Sequence, residues 1–243
     1  MTVQLVYSPS MLKTYTSCPY KFKAQSITKT IKWEQSEAAK RGEQLHALME
    51  TAINNNMKWE DVKWTDEKSA VHAKKFLDIV AYLRKNGWQC QTEVGVGTDG
   101  YGNALDFWDK PPQNLLRCRI DFLATNPKAD FAIVFDWKTG KKYECDKLQL
   151  QVNAVCLQPV AKTNKFQMGF AYLDSGDFVK QNLDITGIDV RNYDAAVIAQ
   201  SNCVEMLVAL RDIQKAVAMD NFPQTKNRFC HWCQCAECPY AGK

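Results

Sequence analysis

Two aspartates and a lysine lie on neighbouring strand-like segments near the middle of the sequence. Asp121 interrupts one apolar run, Asp136 and Lys138 end the next, and residues 126–130 between them have the Asn, Pro and Asp content of a hairpin turn. Antiparallel pairing can bring both carboxylates to one sheet face, about 5 Å apart, where they can share a divalent cation. The two-residue strand period sends Lys138 to the same face, where an ammonium can position a water or offset phosphate charge. An isolated Asp-x-Lys is more often a solvated strand end, so the interpretation depends on the rest of the chain.

A histidine lies inside a predicted helix upstream of these strands. The helix is predicted over 34–55, and His46 shares one face with Glu43 at i−3 and Glu50 at i+4. A histidine bonded to a glutamate and a metal-ligating histidine both fit this pattern. A second helix is predicted over 67–85, followed by a strand over 88–96 that carries Glu93.

Length, composition and charge indicate a globular protein. The chain has 243 residues, 46% of them hydrophobic and 24% charged, which suits one domain or at most two. The net charge of +4 is compatible with a local basic groove but does not establish a polyanionic partner. No apolar run approaches the roughly 18 residues of a membrane span, and the first residues lack the regions of a signal peptide, so we expect no membrane association and a cytoplasmic location.

The C-terminal tail is rich in cysteine. Four of the ten cysteines fall within nine residues, at Cys230, Cys233, Cys235 and Cys238. Loop-like sequence offers no core for them, so this spacing predicts a metal site. One alternative is a local zinc site built from all four. The other recruits Cys18, which shares its Cys-Pro-Tyr context with Cys238 and would tie both ends of the chain together.

Periodicity predicts an α/β fold in a single domain over 1–243. Helices are expected over 146–160 and 194–218, and further strands over 166–173 and 178–183. The expected parts are an N-terminal segment with Cys18, a helical part with His46, a catalytic sheet core, and a final helix with the cysteine-rich tail. Their ranges are 1–35, 36–87, 88–189 and 190–243.

The order of these motifs resembles the RecB-like nucleases of the PD-(D/E)xK superfamily. The similar elements are Ser-x-Ser-x-x-x-x-Tyr-x-x-Cys-Pro, Gly-x-x-x-His, an acid in a strand, Asp-x-Lys-Thr-Gly, Gln-Leu-x-x-x-Ala, Cys-x-x-Cys and a last Cys-Pro. The similarity is greatest to the iron–sulfur-containing exonucleases, which include the CRISPR-associated RecB-like family, the AddB nuclease domain and phage relatives. It implies a restriction-endonuclease-like core with a mixed sheet flanked by helices, and a cysteine-rich tail packed near the N-terminal helix.

The resemblance also implies roles for individual residues. Mg²⁺ or Mn²⁺ would be bound by Asp121, Asp136, His46 and the backbone carbonyl of Trp137. Lys138 would orient or activate the attacking water, and Gln149 would order the site. A [4Fe–4S] cluster would be bound by Cys18, Cys230, Cys233 and Cys238, with Cys235 as a possible substitute and zinc as the alternative cofactor. The chain has Asn153 where the family usually has a tyrosine after the glutamine.

The implied activity is metal-dependent cleavage of DNA. The expected enzyme is an exonuclease acting on DNA ends, with single strands preferred, in recombination, repair or DNA processing, in the host cytoplasm if a phage encodes it. Recombination, phage or CRISPR-associated proteins are possible partners. The alternative is a DNA-binding or nuclease-complex subunit that does not cleave and is stabilised by a Zn or Fe–S site. Tyr20, Phe22, Tyr143 and Trp232 can stack on bases, although packing is the more common role of such residues.

Overall fold

The computed structural model describes residues 4–31, 36–140 and 146–243, and a six-stranded mixed sheet lies at its centre. The strands are β1 Gln89–Thr98, β2 Ala104–Leu105, β3 Leu116–Thr125, β4 Ala132–Lys138, β5 Lys165–Tyr172 and β6 Asp177–Asp184. Their order is β2-β1-β3-β4-β5-β6, with β4 and β5 parallel and the other neighbouring pairs antiparallel. The predicted α/β class with a mixed sheet flanked by helices is confirmed.

Seven α-helices pack around the sheet in the described ranges. They are α1 Pro9–Ser17, α2 Pro19–Phe22, α3 Glu37–Asn54, α4 Glu67–Lys85, α5 Lys147–Ala161, α6 Ala195–Ala199 and α7 Val204–Met219. Side chains of Ser8, Ser36, Asp66 and Asp146 accept backbone N–H groups at the starts of α1, α3, α4 and α5. The residue Glu34, at which the helix over 34–55 was predicted to start, lies outside the described residues.

The single helix predicted over 194–218 is wrong, because the chain breaks between α6 and α7. The Ser201 hydroxyl accepts the Cys203 N–H at 2.8 Å, and the Asn202 amide donates to the Asp184 carbonyl at 2.8 Å. Serine and asparagine side chains that bind nearby backbone in this way compete with the helical hydrogen bonds. The hydrophobic period continues through the break, which is why sequence alone predicts one helix.

The sheet is covered on both faces. Along β4, Val134 belongs to a core with α1, α5 and α7, whereas Phe135 and Trp137 belong to a second core with α3 and α4. This alternation follows from the two-residue period of a strand. Asp136 and Lys138 therefore lie on the α5 side of the sheet.

The alternation along β3 changes phase at Asp121. Ile120 packs in the first core and Phe122, two residues later, in the second. On β1, Glu93 lies opposite this point, between the paired positions Thr92–Phe122 and Val94–Ile120, and has a φ of 50°. A left-handed residue inside a strand re-aims side chains as a β-bulge does, and such irregularities are common beside active sites.

Candidate active site

Asp121 and Asp136 face each other where β3 and β4 part. The β3–β4 ladder pairs Phe122 with Phe135, so one step further places the two aspartates opposite each other. There the Asp121 carboxylate accepts the Trp137 backbone N–H at 2.6 Å. Both aspartates are only 7% exposed. The Asp121 side chain thus accepts a hydrogen bond that a strand carbonyl would otherwise accept, which fixes this carboxylate in place. The point where β3 and β4 separate, at Asp121 and Asp136, is here called the fork.

Lys138 and Gln149 bind the second carboxylate. The Lys138 ammonium forms an ion pair with Asp136, and the Gln149 amide donates to Asp136 Oδ1 at 2.9 Å. The Gln149 carbonyl in turn accepts from Lys138 Nζ at 3.3 Å. Gln149 lies in the first turn of α5, where Asp146 caps the helix by accepting the Gln149 N–H. One amide therefore orients the acid and the lysine together.

The charges at the fork are strongly coupled. Burial and the neighbouring Asp121 charge raise the pKa of Asp136 to about 6. Burial disfavours the charged Lys138, but Asp136 more than offsets this and raises the pKa of the lysine. Two close carboxylates with one ammonium are an arrangement that an added cation would stabilise.

A second group of ligand atoms surrounds Asp121. Donor atoms of His46, Glu93 and Asp121 all lie within 4.8 Å of one another, and His46 Nδ1 is 3.4 Å from Asp121 Oδ1. Burial, the largest single cause, opposes charging of the imidazole, but the hydrogen bond to Asp121 and the nearby charges of Asp121, Asp136 and Glu93 together outweigh it and raise the pKa of His46. Burial, then Asp121 and Glu50, raise the pKa of Glu93. An imidazole and two carboxylates suit a divalent ion such as Mn²⁺.

The structure brings several predicted site residues together and adds one. Asp121, Asp136, Lys138 and Gln149 meet at the fork, and His46 reaches it from α3. His46 contacts Asp121 rather than either flanking glutamate of its helix. Asp136 is held by Lys138 and Gln149 and is not part of the group within 4.8 Å. Glu93 was missed as a ligand, because its position opposite Asp121 depends on a register that the sequence does not show.

A polar network fixes the turn after Lys138. The Gly140 N–H donates to Asp174 Oδ2 at 2.6 Å, and Arg41 donates to both oxygens of the same carboxylate at 2.7 and 3.1 Å. These bonds, with Arg41 as the largest cause, lower the pKa of Asp174 to about 2. A Cβ at Gly42 would lie 3.2 Å from Thr139 Oγ1. Helix α3, which carries His46, therefore packs directly against the turn that follows Lys138.

The cysteines of the tail surround a separate cavity of about 280 Å³. Its lining includes Cys18, Cys230, Cys233, Cys235 and Cys238. Burial, then the thiols around it, raise the pKa of Cys235 to about 12. The Asn227 side chain donates to the Ser17 carbonyl at 2.9 Å and so joins the tail to the end of α1. The tail thus lies near the N-terminal helix, as predicted.

The aromatic residues singled out in the sequence differ in exposure. Phe22 is fully buried and packs edge-on against Tyr15, so it has the packing role that is more common for such residues. The Tyr20 hydroxyl donates to Glu237 at 3.0 Å. Trp232 is 72% exposed. Tyr143 lies outside the described residues.

Comparison with known proteins identifies the family. The PD-(D/E)XK nuclease superfamily matches residues 6–241. The crystal structure of SSO0001 is similar to this chain with a TM-score of 0.45 and 14% sequence identity, over 98% of this chain and 85% of that one. No curated protein matches the sequence significantly. Among the described residues, no helix is long and apolar enough to cross a membrane. The match over nearly the whole length, together with the acids and lysine at the fork of β3 and β4, shows that the chain belongs to the PD-(D/E)XK nuclease superfamily.

Proposed function

We propose that this protein is a DNA exonuclease that uses Mn²⁺ or Mg²⁺ to hydrolyse phosphodiester bonds at DNA ends. The observation that carries the proposal is the convergence of His46, Glu93 and Asp121 within 4.8 Å, beside the Asp136 and Lys138 pair. Membership of a nuclease superfamily makes a nucleic acid the substrate class. DNA, end-dependence and a preference for single strands rest on the resemblance to RecB-like enzymes.

The donor set fits a divalent cation. His46, Glu93 and Asp121 supply one nitrogen and carboxylate oxygens, and Asp136 lies opposite Asp121 with the Trp137 backbone beside it. When bound, the ion lowers the pKa of a water and stabilises negative charge on the phosphate. The nitrogen ligand favours Mn²⁺ over Mg²⁺, which prefers oxygen ligands in strict octahedral geometry.

The chain's own groups position the reactants. Lys138 is held by Asp136 and Gln149 and places a positive charge at the α5 side of the fork. An ammonium there stabilises the additional negative charge that forms on the phosphate in the transition state. Its hydrogen bonds can also orient the attacking water. Gln149 acts by holding both partners in place.

A [4Fe–4S] cluster is the proposed occupant of the cysteine cavity. In the described ranges the tail sulfurs do not form a group of three within 4.8 Å. A zinc ion with Zn–S bonds of about 2.3 Å would draw its sulfurs to about 3.8 Å from one another, whereas a cluster spreads its thiolates over four iron atoms. The Asn227 N–H donates to Cys230 Sγ at 3.3 Å, and hydrogen bonds to ligand sulfur are usual in such sites. We assign Cys18, Cys230, Cys233 and Cys238 as ligands, with Cys235 as a substitute.

The test is a cleavage assay with anaerobically purified protein. End-labelled single-stranded and duplex DNA are incubated with Mn²⁺, Mg²⁺ or EDTA, and circular single strands test for end-dependence. We expect metal-dependent degradation of linear DNA only, faster on single strands and faster with Mn²⁺. Asp136→Asn and Lys138→Met should each lower the rate by about 10³-fold or more.

The matched control is Lys165→Met. Lys165 pairs with Asp130 on the surface, at the end of the sheet away from the fork, so its loss should leave the rate unchanged. Circular dichroism would show that each variant is folded. Equal activity of wild type and Asp136→Asn would contradict the nuclease site. Folded wild type that leaves all DNA intact would instead favour a binding subunit.

A further inference from the structure

A groove of about 500 Å³ adjoins the fork. Lys138 and Gln149 of the fork contribute to its lining, together with Phe107, Arg117 and Arg119. The lining residues include four cations, with Lys13 as the fourth, and one acid, Asp146. Lys13 pairs with Asp146 at 2.6 Å. Because Lys138 is ion-paired with Asp136, the positive charge that remains in the groove beside the proposed cleavage site comes from the two arginines.

Phe107 lies within cation–π distance of two arginines, and these three residues are here called the platform. The Arg117 and Arg119 guanidinium carbons are 5.1 and 5.2 Å from the centre of the Phe107 ring. A guanidinium stacked on an aromatic ring keeps its edge N–H groups free for bidentate phosphate binding. Among the described residues, no carboxylate is within 4.0 Å of Arg117, and the partner of Arg119 is Glu93 at 3.9 Å. Arg119 thus links this platform to the ligand group around Asp121.

The loop that carries Phe107 is docked on the backbone of β1. A Cβ at Gly95, which pairs with Arg119, would lie 3.4 Å from Phe107 Cβ. A Cβ at Gly97 would fall inside the amide of Asn114. Asn114 is buried and donates to the carbonyls of Asp106 and Asp109, at 3.4 and 3.2 Å, on either side of Phe107 and Trp108. The loop is therefore fixed to the sheet.

Trp108 stands at the rim of this platform. Its ring packs edge-on against Phe107 with centroids 4.9 Å apart, and the residue is 70% exposed. An exposed indole next to stacked guanidinium groups combines the two features that bind single-stranded nucleic acid, an aromatic face for a base and cations for the backbone. A single exposed tryptophan alone would carry no such meaning.

We propose that Phe107, Trp108, Arg117 and Arg119 form a subsite for the nucleotide next to the scissile phosphate. The arginines bind its backbone phosphate and Trp108 stacks on its base, so the subsite selects an unpaired base. This inference rests on the proposed function and extends it by naming the residues that bind a single strand beside the metal site.

The test measures binding of labelled single strands by fluorescence anisotropy, with every protein carrying Asp136→Asn so that the strand stays intact. Trp108→Ala should weaken binding about 10-fold, the effect of losing one stacked base. A single abasic site is then moved along the strand one nucleotide at a time. When the abasic site is at the position that Trp108 contacts, the protein with Trp108 and the Trp108→Ala variant should bind the strand equally well, because the base for stacking is missing.

The arginines are tested through salt dependence. Arg117→Ala should lower the slope of log Kd against log salt by about 0.7, as expected for one lost phosphate contact on a single strand. Arg119→Gln tests the neighbouring contact and remains informative if Arg117→Ala does not fold. Tyr82→Ala, 66% exposed on α4, and Lys128→Ala, in the turn at the other end of β3, are the matched controls and should change neither quantity.

A small diester separates the two proposals. Wild type and the control Tyr82→Ala should hydrolyse bis(p-nitrophenyl) phosphate equally fast, while Trp108→Ala, made in the enzyme that keeps Asp136, should raise the KM for DNA strands about 10-fold. If wild type cleaves DNA but Trp108→Ala and Arg117→Ala bind DNA as tightly as the controls, the proposed subsite is wrong and the proposed nuclease activity is supported. If wild type neither binds nor cleaves DNA, both proposals are wrong.

Discussion

The fork of β3 and β4 and the cysteine-rich tail are organised by different forces. At the fork, strand register places Asp121 opposite Asp136, and backbone and amide hydrogen bonds hold both carboxylates. In the tail, the described residues after Met219 contain one regular element, the short 3₁₀ turn Cys230–Trp232, around a cavity lined by sulfur. Strand register and hydrogen bonds determine the structure of the fork, whereas the tail, on the proposed function, depends on a bound cluster. The two regions should therefore respond oppositely to loss of their cofactors.

The largest effect should follow from removing a cysteine of the tail. Cys230→Ser should remove the visible absorption of the proposed cluster and lower the free energy of unfolding by about 4 kcal/mol, because a cluster bound there would close a loop between Cys18 and the tail. This corresponds to a fall in Tm of about 10 °C, measurable by calorimetry. At low temperature the folded fraction should keep its rate constant for cleavage, since the cluster does not touch the phosphate.

Cys90→Ser is the control for this comparison. Cys90 is half-buried on β1 and lies outside the cysteine cavity, so its loss should change Tm by only a few degrees. If Cys230→Ser kept the Tm and colour of wild type, the tail would not depend on a bound group. If it abolished catalysis in a folded protein, the separation between the two regions would be wrong.

The fork should show the opposite behaviour, because the charged form of Asp136 opposes folding when no metal is bound. Burial and Asp121 raise the pKa of Asp136 in the folded protein to about 6, above its ordinary value of about 4. Such a group favours folding below its unfolded pKa, and this contribution is lost as pH rises through about 6. Without metal, Asp136→Asn should therefore be more stable than wild type by about 3 kcal/mol near pH 8, with little difference near pH 4.

Thermal unfolding of both proteins in EDTA across this pH range measures the effect. Asp130→Asn is the matched control, because Asp130 is an exposed partner of Lys165 with its pKa lowered by that lysine. This control should not be stabilised at high pH. Added Mn²⁺ should raise the Tm of wild type more than the Tm of Asp136→Asn. A stability difference independent of pH would show that Asp136 does not carry the unfavourable charge.

Much of the arrangement of residues at the fork was predicted from the sequence, because turn composition and strand and helix periods determine most of it. The hairpin composition of 126–130 indicates that the acids lie on adjacent antiparallel strands, and the two-residue period puts Lys138 beside Asp136. A helix period places Gln149 one turn into α5. The roles of these residues stay predictions until the cleavage assays are made.

Long-range register is what the sequence does not show. Glu93 comes opposite Asp121 only through the pairing of β1 with β3, and the subsite arginines meet Phe107 only because Gly95 and Gly97 admit its loop. The break before α7 was also missed, because hydrogen bonds that the side chains of Ser201 and Asn202 form with the backbone override an uninterrupted apolar pattern. These features depend on contacts between distant parts of the chain, which local propensities do not predict.

The smallest effect concerns the left-handed backbone of Glu93. A residue with a Cβ is strained in this conformation, which here places the Glu93 carboxylate near Asp121. Glycine adopts a φ of 50° without the Cβ penalty, so Glu93→Gly should stabilise the metal-free protein by about 1 kcal/mol relative to Glu93→Gln, which keeps the Cβ and also removes the charge. Both variants should need more Mn²⁺ for half-maximal cleavage, by about 10-fold or more. Chemical denaturation in EDTA and metal titration of the rate measure the two quantities separately. Equal stability of the two variants would show that the backbone at Glu93 is relaxed, and an unchanged Mn²⁺ requirement would remove Glu93 from the ligand set.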